Sequence, residues 1–185
     1  MDYRLTCPVT KEDLAPLRAG DRVLLSGTVY TARDAAHKRM MELLDNGKEL
    51  PFPLPGNAIY YVGPTPEKPG CIIGSAGPTT AGRMDSYSPR LLDLGQSVMI
   101  GKGARSAAVK DAIRRNGAIY LAAIGGAGAL MASCIKKAEI VCWEDLGCEA
   151  VRRLEVENMP LTVIIDSVGG DLYESGPEAY LKSLQ

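Results

Sequence analysis

The sequence carries a single histidine, His37, in 185 residues. One imidazole makes no metal centre without other ligands, and no Gly-x-Ser-x-Gly elbow offers a serine nucleophile for it to serve. The five cysteines, Cys7, Cys71, Cys134, Cys142 and Cys148, form no Cys-x-x-Cys pair. That spacing excludes a local zinc or iron–sulfur motif. An odd, scattered set without a signal peptide predicts reduced thiols in a cytoplasmic protein, packed as small buried hydrophobes. Charge imbalance is missing too. A net charge of −1 and a pI of 5.9 give no overall field to attract nucleic acid or a membrane surface, so any anion site must be local.

The sequence also lacks a convincing membrane span. Ala118 to Ile135 contains no charge, but Gly125, Gly126 and Gly128 interrupt it. A buried strand over Ala118–Ile124, a glycine turn and a buried helix fit better than a span. Those glycines do not make a dinucleotide fingerprint, because Met131 stands where G-x-G-x-x-G needs its last glycine. No Lys-Ser/Thr pair follows, which excludes a P-loop.

What is present is ordinary globular material, 46% hydrophobic and 23% charged, enough for one domain over residues 1–185. Alternation over Tyr3–Cys7 predicts a strand, and Thr10 caps a short helix. Arg22–Tyr30 reads as one or two strands turning near Ser26-Gly27. Asp34 caps a helix reaching Leu44, with Ala36, Met40, Leu43 and Leu44 inward and Asn46-Gly47 as its stop. Further strands are expected at Ala58–Val62, Cys71–Ile73, Ser97–Ile100, Ile140–Trp143 and Leu161–Ile165, with Glu155–Asn158 extended. Helices are expected at Tyr87–Leu94, at Arg105–Arg115 with Ala108, Ala112 and Ile113 inward, and after Gly176-Pro177. Strands dominate early and strand–helix alternation later, which predicts layered α/β with a mixed sheet.

The richest stretch is GSAGPTTAGRMD, Gly74 to Asp85. If Cys71–Ile73 is a buried strand, its carboxyl end delivers a loop of small residues, two hydroxyls and an arginine, and ligands collect at such ends in α/β sheets. Gly74 and Gly77 allow tight turning and close approach. Thr79, Thr80 and Arg83 supply hydroxyls and a cationic fork for an anion. Plain helix capping by the threonines is the alternative. Arg33 and Lys102 occupy what read as two further strand-to-helix junctions, where helix N-termini add positive potential. A small dianion is the natural ligand if the three cations converge. His37, four residues after Arg33, either faces the same pocket or is an ordinary helix residue. Asp166 and Asp171 around Gly169-Gly170 read as an Asx turn or a cation-orienting pair.

These pieces carry a resemblance. The stretches SGTVYTARDAAHKR, GSAGPTTAGRMD and MIGKG, with the run from Leu121 to Tyr173, resemble the β subunit of class I fumarases and L-tartrate dehydratases. In single-chain members this part is the C-terminal domain. The resemblance covers Leu5 to about Tyr180. It implies a swivelling β/β/α domain, with a mixed central sheet flanked by helices, closing over a 4Fe–4S cluster. The cluster is held by three cysteines of a partner α subunit and not by this chain. By motif, Thr79 is implied as catalytic base, and Arg83, Arg33 and Lys102 as the grip on substrate carboxylates, with Thr80, Gly77 and His37 as secondary positions. The implied reaction is reversible hydration of fumarate to L-malate by an αβ hetero-oligomer. L-tartrate dehydration, or a non-catalytic anion-binding or regulatory subunit, stands as the alternative.

Overall fold

The computed structural model describes residues 2–184. The strands are β1 (Asp2–Cys7), β2 (Arg22–Thr31), β3 (Ala58–Tyr60), β4 (Val98–Gly101), β5 (Ile119–Ala122), β6 (Ile135–Cys142) and β7 (Val151–Ile165). The helices are α1 (Lys11–Leu14), α2 (Asp34–Asp45), α3 (Ser88–Asp93), α4 (Ala107–Asn116), α5 (Gly128–Ser133) and α6 (Leu172–Ser183). Short 3₁₀ turns cover Ala81–Met84 and Glu144–Glu149.

All seven strands join one mixed sheet in the order β1-β2-β3-β4-β5-β7-β6, and an extra antiparallel pairing of β2 with β7 closes it on itself. β2, β3, β4 and β5 run parallel. The long strand β7 runs against both β5 and β2, so it is the stave that shuts the barrel. The mixed sheet with flanking helices is as the sequence predicts; the closure is additional.

Strand residues alternate between two cores. Ala58, Tyr60, Val62, Val98, Ile100, Ile119 and Leu121 point into the barrel. Ile59, Tyr61, Met99 and Tyr120 point outward, where Met40 of α2, Leu91 and Leu92 of α3, and Val109, Ala112 and Ile113 of α4 cover them. Burial on both faces explains why these strands are continuous apolar runs rather than alternating ones.

Several expectations are corrected. Cys71–Ile73 is not a strand. Ile73 is buried, but Cys71 and Ile72 are exposed and the segment joins no ladder. Of the one or two strands expected over Arg22–Tyr30 the structure forms one, Arg22–Thr31, with a register shift between Leu25 and Gly27 in place of the turn. Leu161–Ile165 and Glu155–Asn158 are parts of the single strand β7, which tolerates Pro160 opposite Leu24. In α4 it is Val109, not Ala108, that is buried. The helix after the glycine turn buries only Gly128 and Met131 and exposes Leu130. α6 begins at Leu172, before Pro177, because Asp171 caps it by accepting the Tyr173 N–H at 2.9 Å.

Candidate active site

The parallel strands point their carboxyl ends the same way, and Arg33 and Lys102 leave from two of those ends. β2 runs through Thr31 to Arg33, the N-cap of α2. β4 runs into Gly101 and Lys102. β5 ends before Gly125, where an added Cβ would lie 3.9 Å from the Lys102 Nζ, so the ammonium rests over the glycine turn.

The Thr79 segment does not follow a strand; it is wedged between two. Beyond β3 and β4 the chains part, and Thr79 fills the gap. Its N–H donates to the Tyr61 carbonyl at 2.7 Å, and its own carbonyl accepts from the Lys102 N–H at 3.3 Å. Ala81 N–H then donates to the Lys102 carbonyl at 2.8 Å, which makes Thr80 and Lys102 bridge partners. The wedge depends on Gly101. A Cβ there would stand 2.9 Å from Tyr61 Cδ2 and 3.1 Å from Ala81 Cβ, so only glycine lets the three chains approach. Gly77 serves a neighbouring contact, packing on Gly128 at the start of α5, while Ala76 N–H donates to the Gly128 carbonyl at 3.0 Å.

Arg83 leaves the 3₁₀ turn that follows, not a strand-to-helix junction. Its Nε donates to Asp34 Oδ1 at 2.9 Å, and its side chain is 51% exposed. The other carboxylate oxygen of Asp34 lies 3.9 Å from Arg33 Nε, too far for a hydrogen bond. Both of those atoms are buried without a partner. A second nitrogen of Arg33, NH2, lies 3.6 Å from Glu149 Oε1, and Glu149 Oε2 accepts the Ala35 N–H at 2.9 Å. Glu149, not Asp34, therefore caps the first turn of α2. One aspartate stands between two arginines, and a glutamate from a distant segment holds the outer side of one of them.

Behind this shelf lies a buried polar cluster. The Arg105 side chain is 0% exposed and donates to Asp85 Oδ1 at 2.7 Å, to Ser88 Oγ at 2.8 Å and to the Met99 sulfur at 3.2 Å. Its guanidinium also lies over the rings of Tyr61 and Tyr120. Asp85 Oδ2 accepts the Ser106 N–H at 2.6 Å. This cluster pins the far end of the Thr79–Asp85 stretch to the start of α4.

His37 belongs to this inner side. It is fully buried, its Nδ1 lies 2.8 Å from the Arg33 carbonyl, and Tyr61 and Tyr87 flank its ring. Burial pushes its pKa down to about 4, so it is neutral at pH 7. Full burial corrects the expectation of a partly exposed or capping helix residue, and the ring packs inward between Tyr61 and Tyr87. Asp166 accepts the N–H groups of Val168 and Gly170, which makes that pair an Asx turn.

The shelf is open. Thr80, Arg83 and Lys102 are exposed and Thr79 is half-buried. A cleft of about 520 Å³ lies elsewhere, lined by Pro64, Ile72, Ile140, Cys148 and Arg152 among others, and none of the shelf residues borders it. The shelf therefore presents hydroxyl, ammonium and guanidinium groups to solvent.

The chain's own residues do not fit an iron–sulfur cluster. Among the described residues no three His, Cys, Asp or Glu side chains gather as a ligand set. Burial also raises the Cys7 thiol to about 12 and the Cys142 thiol to about 11, away from the thiolate a metal needs.

Sequence reasoning missed Asp34, Glu149, Gly101 and Arg105 as parts of the site. Asp34 had a local signal, adjacency to Arg33, but it read as a cap. Glu149 had none, being 114 residues from the helix it caps.

Fold and shelf define an α/β barrel domain with a cation-lined shelf beside the carboxyl ends of its parallel strands. The chain belongs to the fumarase C-terminus family, whose model matches residues 2–176. It is 44% identical over 169 residues to the anaerobic class I fumarate hydratase of Escherichia coli, covering 89% of this chain and 31% of that one. It is 40% identical over 175 residues to fumarate hydratase 2 of Leishmania major, covering 94% of this chain and 31% of that one. It is also 40% identical over 180 residues to a putative L(+)-tartrate dehydratase subunit beta of Methanocaldococcus jannaschii, covering 94% of this chain and 92% of that one. The chain thus spans about a third of the fumarate hydratases it matches and nearly all of the tartrate dehydratase subunit. No helix among the described residues is long and apolar enough to cross a membrane.

Proposed function

We propose that this chain is the substrate-gripping half of a hydro-lyase, a single-domain β subunit that interconverts fumarate and L-malate with a partner α subunit in the cytoplasm. The observation that carries the reading is the open shelf, where Thr79 is wedged against Lys102 and the Arg33–Asp34–Arg83 cluster stands alongside. A dianion needs two cationic grips, and it needs water excluded from above. The chain supplies the first and lacks the second. The near-complete overlap with a relative named as a subunit supports a separate partner chain, hence an αβ hetero-oligomer. The 4Fe–4S cluster then belongs to that partner, a reading supported by the absence of any gathered ligand set among the described residues of this chain.

In the malate-to-fumarate direction a proton leaves the carbon beside one carboxylate, and hydroxide leaves the next carbon, for which the partner's cluster, when bound, would supply the Lewis acid. The carboxylate next to the departing proton gains charge, and the Arg83 and Lys102 cations stabilise it in a closed site. Arg33 holds the other carboxylate. Thr79 accepts the proton. Threonine alkoxide is very unstable in water, so this role needs the positive potential of Lys102 beside it.

Thr79→Ala in the assembled enzyme tests the assignment. The expected loss is about 10²- to 10⁴-fold in kcat with KM changed little. Retention of near-normal kcat overturns the role. A second reading, L-tartrate dehydration, is favoured by the relative of matching length that bears that name. Turnover of fumarate, L-malate and both tartrates by the assembled pair decides between the two.

A further inference from the structure

Arg83 is bound through one edge only. Its Nε is taken by Asp34 at 2.9 Å, while half of its side chain is exposed. An exposed arginine ordinarily samples many rotamers and loses that freedom when it binds. Here the inner edge of the guanidinium is tied down, and the outer edge, with its two terminal nitrogens, is the one left for a carboxylate. The remaining oxygen of Asp34 is buried without a hydrogen-bond partner and faces the equally unpartnered Nε of Arg33 at 3.9 Å. Asp34 itself is only partly exposed, sits in the first turn of the 12-residue helix α2, and therefore has a rigid backbone.

We propose that Asp34 is a positioning residue for the dicarboxylate grip. It holds Arg83 end-on to the substrate and screens Arg83 from Arg33, so that two like charges point into one site. This rests on the reading of the shelf as a dicarboxylate site. Asp34 touches no substrate in this arrangement and acts only through the two arginines.

Competing roles for Asp34 predict different signs. If Asp34 merely lowers the positive potential of the shelf, removing its charge tightens binding of a dianion and KM falls. If it only stabilises the start of α2 through the helix dipole, KM stays constant and thermal stability drops slightly. If it positions Arg83, KM rises although the site has become more positive.

The experiment is steady-state kinetics of the assembled enzyme with Asp34→Asn, Arg83→Ala and the double variant, using fumarate and L-malate. The expected result is a KM increase of about tenfold or more for Asp34→Asn, with a smaller change in kcat. The double variant is expected to be no worse than Arg83→Ala alone, because both changes act through one group. Asp34→Glu should recover part of the affinity. Unchanged or lowered KM for Asp34→Asn, with Arg83→Ala still impaired, overturns the positioning role and leaves the shelf intact. Unimpaired binding by Arg83→Ala overturns both. On the full chain alone, NMR should show a side-chain Nε–H of Arg83 protected from exchange, with the protection lost in Asp34→Ala, which removes the acceptor. An unprotected Nε–H in the wild-type chain also overturns the proposal.

Discussion

Arg83 and Asp85 stand two residues apart on one short turn, yet each is half of a different arginine–aspartate pair. Asp85 pairs inward with Arg105, whose side chain is wholly buried and satisfied by a carboxylate, a hydroxyl, a thioether and two aromatic faces. Arg83 pairs outward with Asp34 and keeps half of its surface in solvent. In the inner pair each side-chain nitrogen of the arginine has a partner in the protein. The outer pair leaves donors unspent. The same two residue types thus serve architecture on one side of the turn and recognition on the other, and what separates them is access to water. In water an ion pair contributes roughly 0–1 kcal/mol. Out of water, breaking one strands a charge and costs about 3–5 kcal/mol.

The most severe way to break this contrast is Arg105→Ala. It leaves the Asp85 carboxylate and the Ser88 hydroxyl without their buried donor, and it should cost about 3 kcal/mol or more of stability. Urea denaturation reads this as a lowered midpoint. A midpoint within experimental scatter of wild type would mean that the inner pair is not the anchor.

His37 probes the same inner side by pH. Its folded pKa of about 4 lies below the ordinary 6.5, so the unfolded chain binds a proton that the folded chain refuses. The stability it contributes is fully present above pH 6.5 and is lost as pH falls toward 4, by about 3 kcal/mol in all. Unfolding free energies at pH 7 and 4.5 should differ more in wild type than in His37→Phe. Equal differences would show that the imidazole is not desolvated.

The smallest expected effect on folding belongs to the outer pair. Arg83→Ala should change stability by less than about 1 kcal/mol, while binding of a dicarboxylate by the assembled enzyme is badly impaired. A large loss of stability from this substitution would erase the distinction between the two pairs.

The stretch Gly74–Asp85 shows how far residue chemistry reaches. Its threonines and arginine read either as material for an anion site or as helix capping, and in the structure Thr80 makes no side-chain capping bond. The strand expected before it is absent: Cys71–Ile73 has strand composition, but Cys71 and Ile72 are exposed and the segment joins no ladder. The expectation of three equivalent strand-to-helix junctions held only for Arg33. Lys102 lies at a strand end with α4 beginning at Ala107, and Arg83 lies in a 3₁₀ turn.

By itself the sequence determined the parallel strands and their helices, since apolar runs such as Ile59–Val62 and Val98–Ile100 have to be buried on both faces and Asn46-Gly47 and Asn116-Gly117 have to end helices. It also marked Thr79, Arg33, Arg83 and Lys102. Only the tertiary structure decided that β7 closes the sheet, that Thr79 is wedged between β3 and β4, and that Asp34 and Glu149 hold the arginines. Those features depend on pairings far apart in sequence, from Thr79 with Tyr61, 18 positions away, to Arg22 with Thr162, 140 positions away. Local periodicity carries no record of such partners, because it reports which face of an element is buried and not what lies against it.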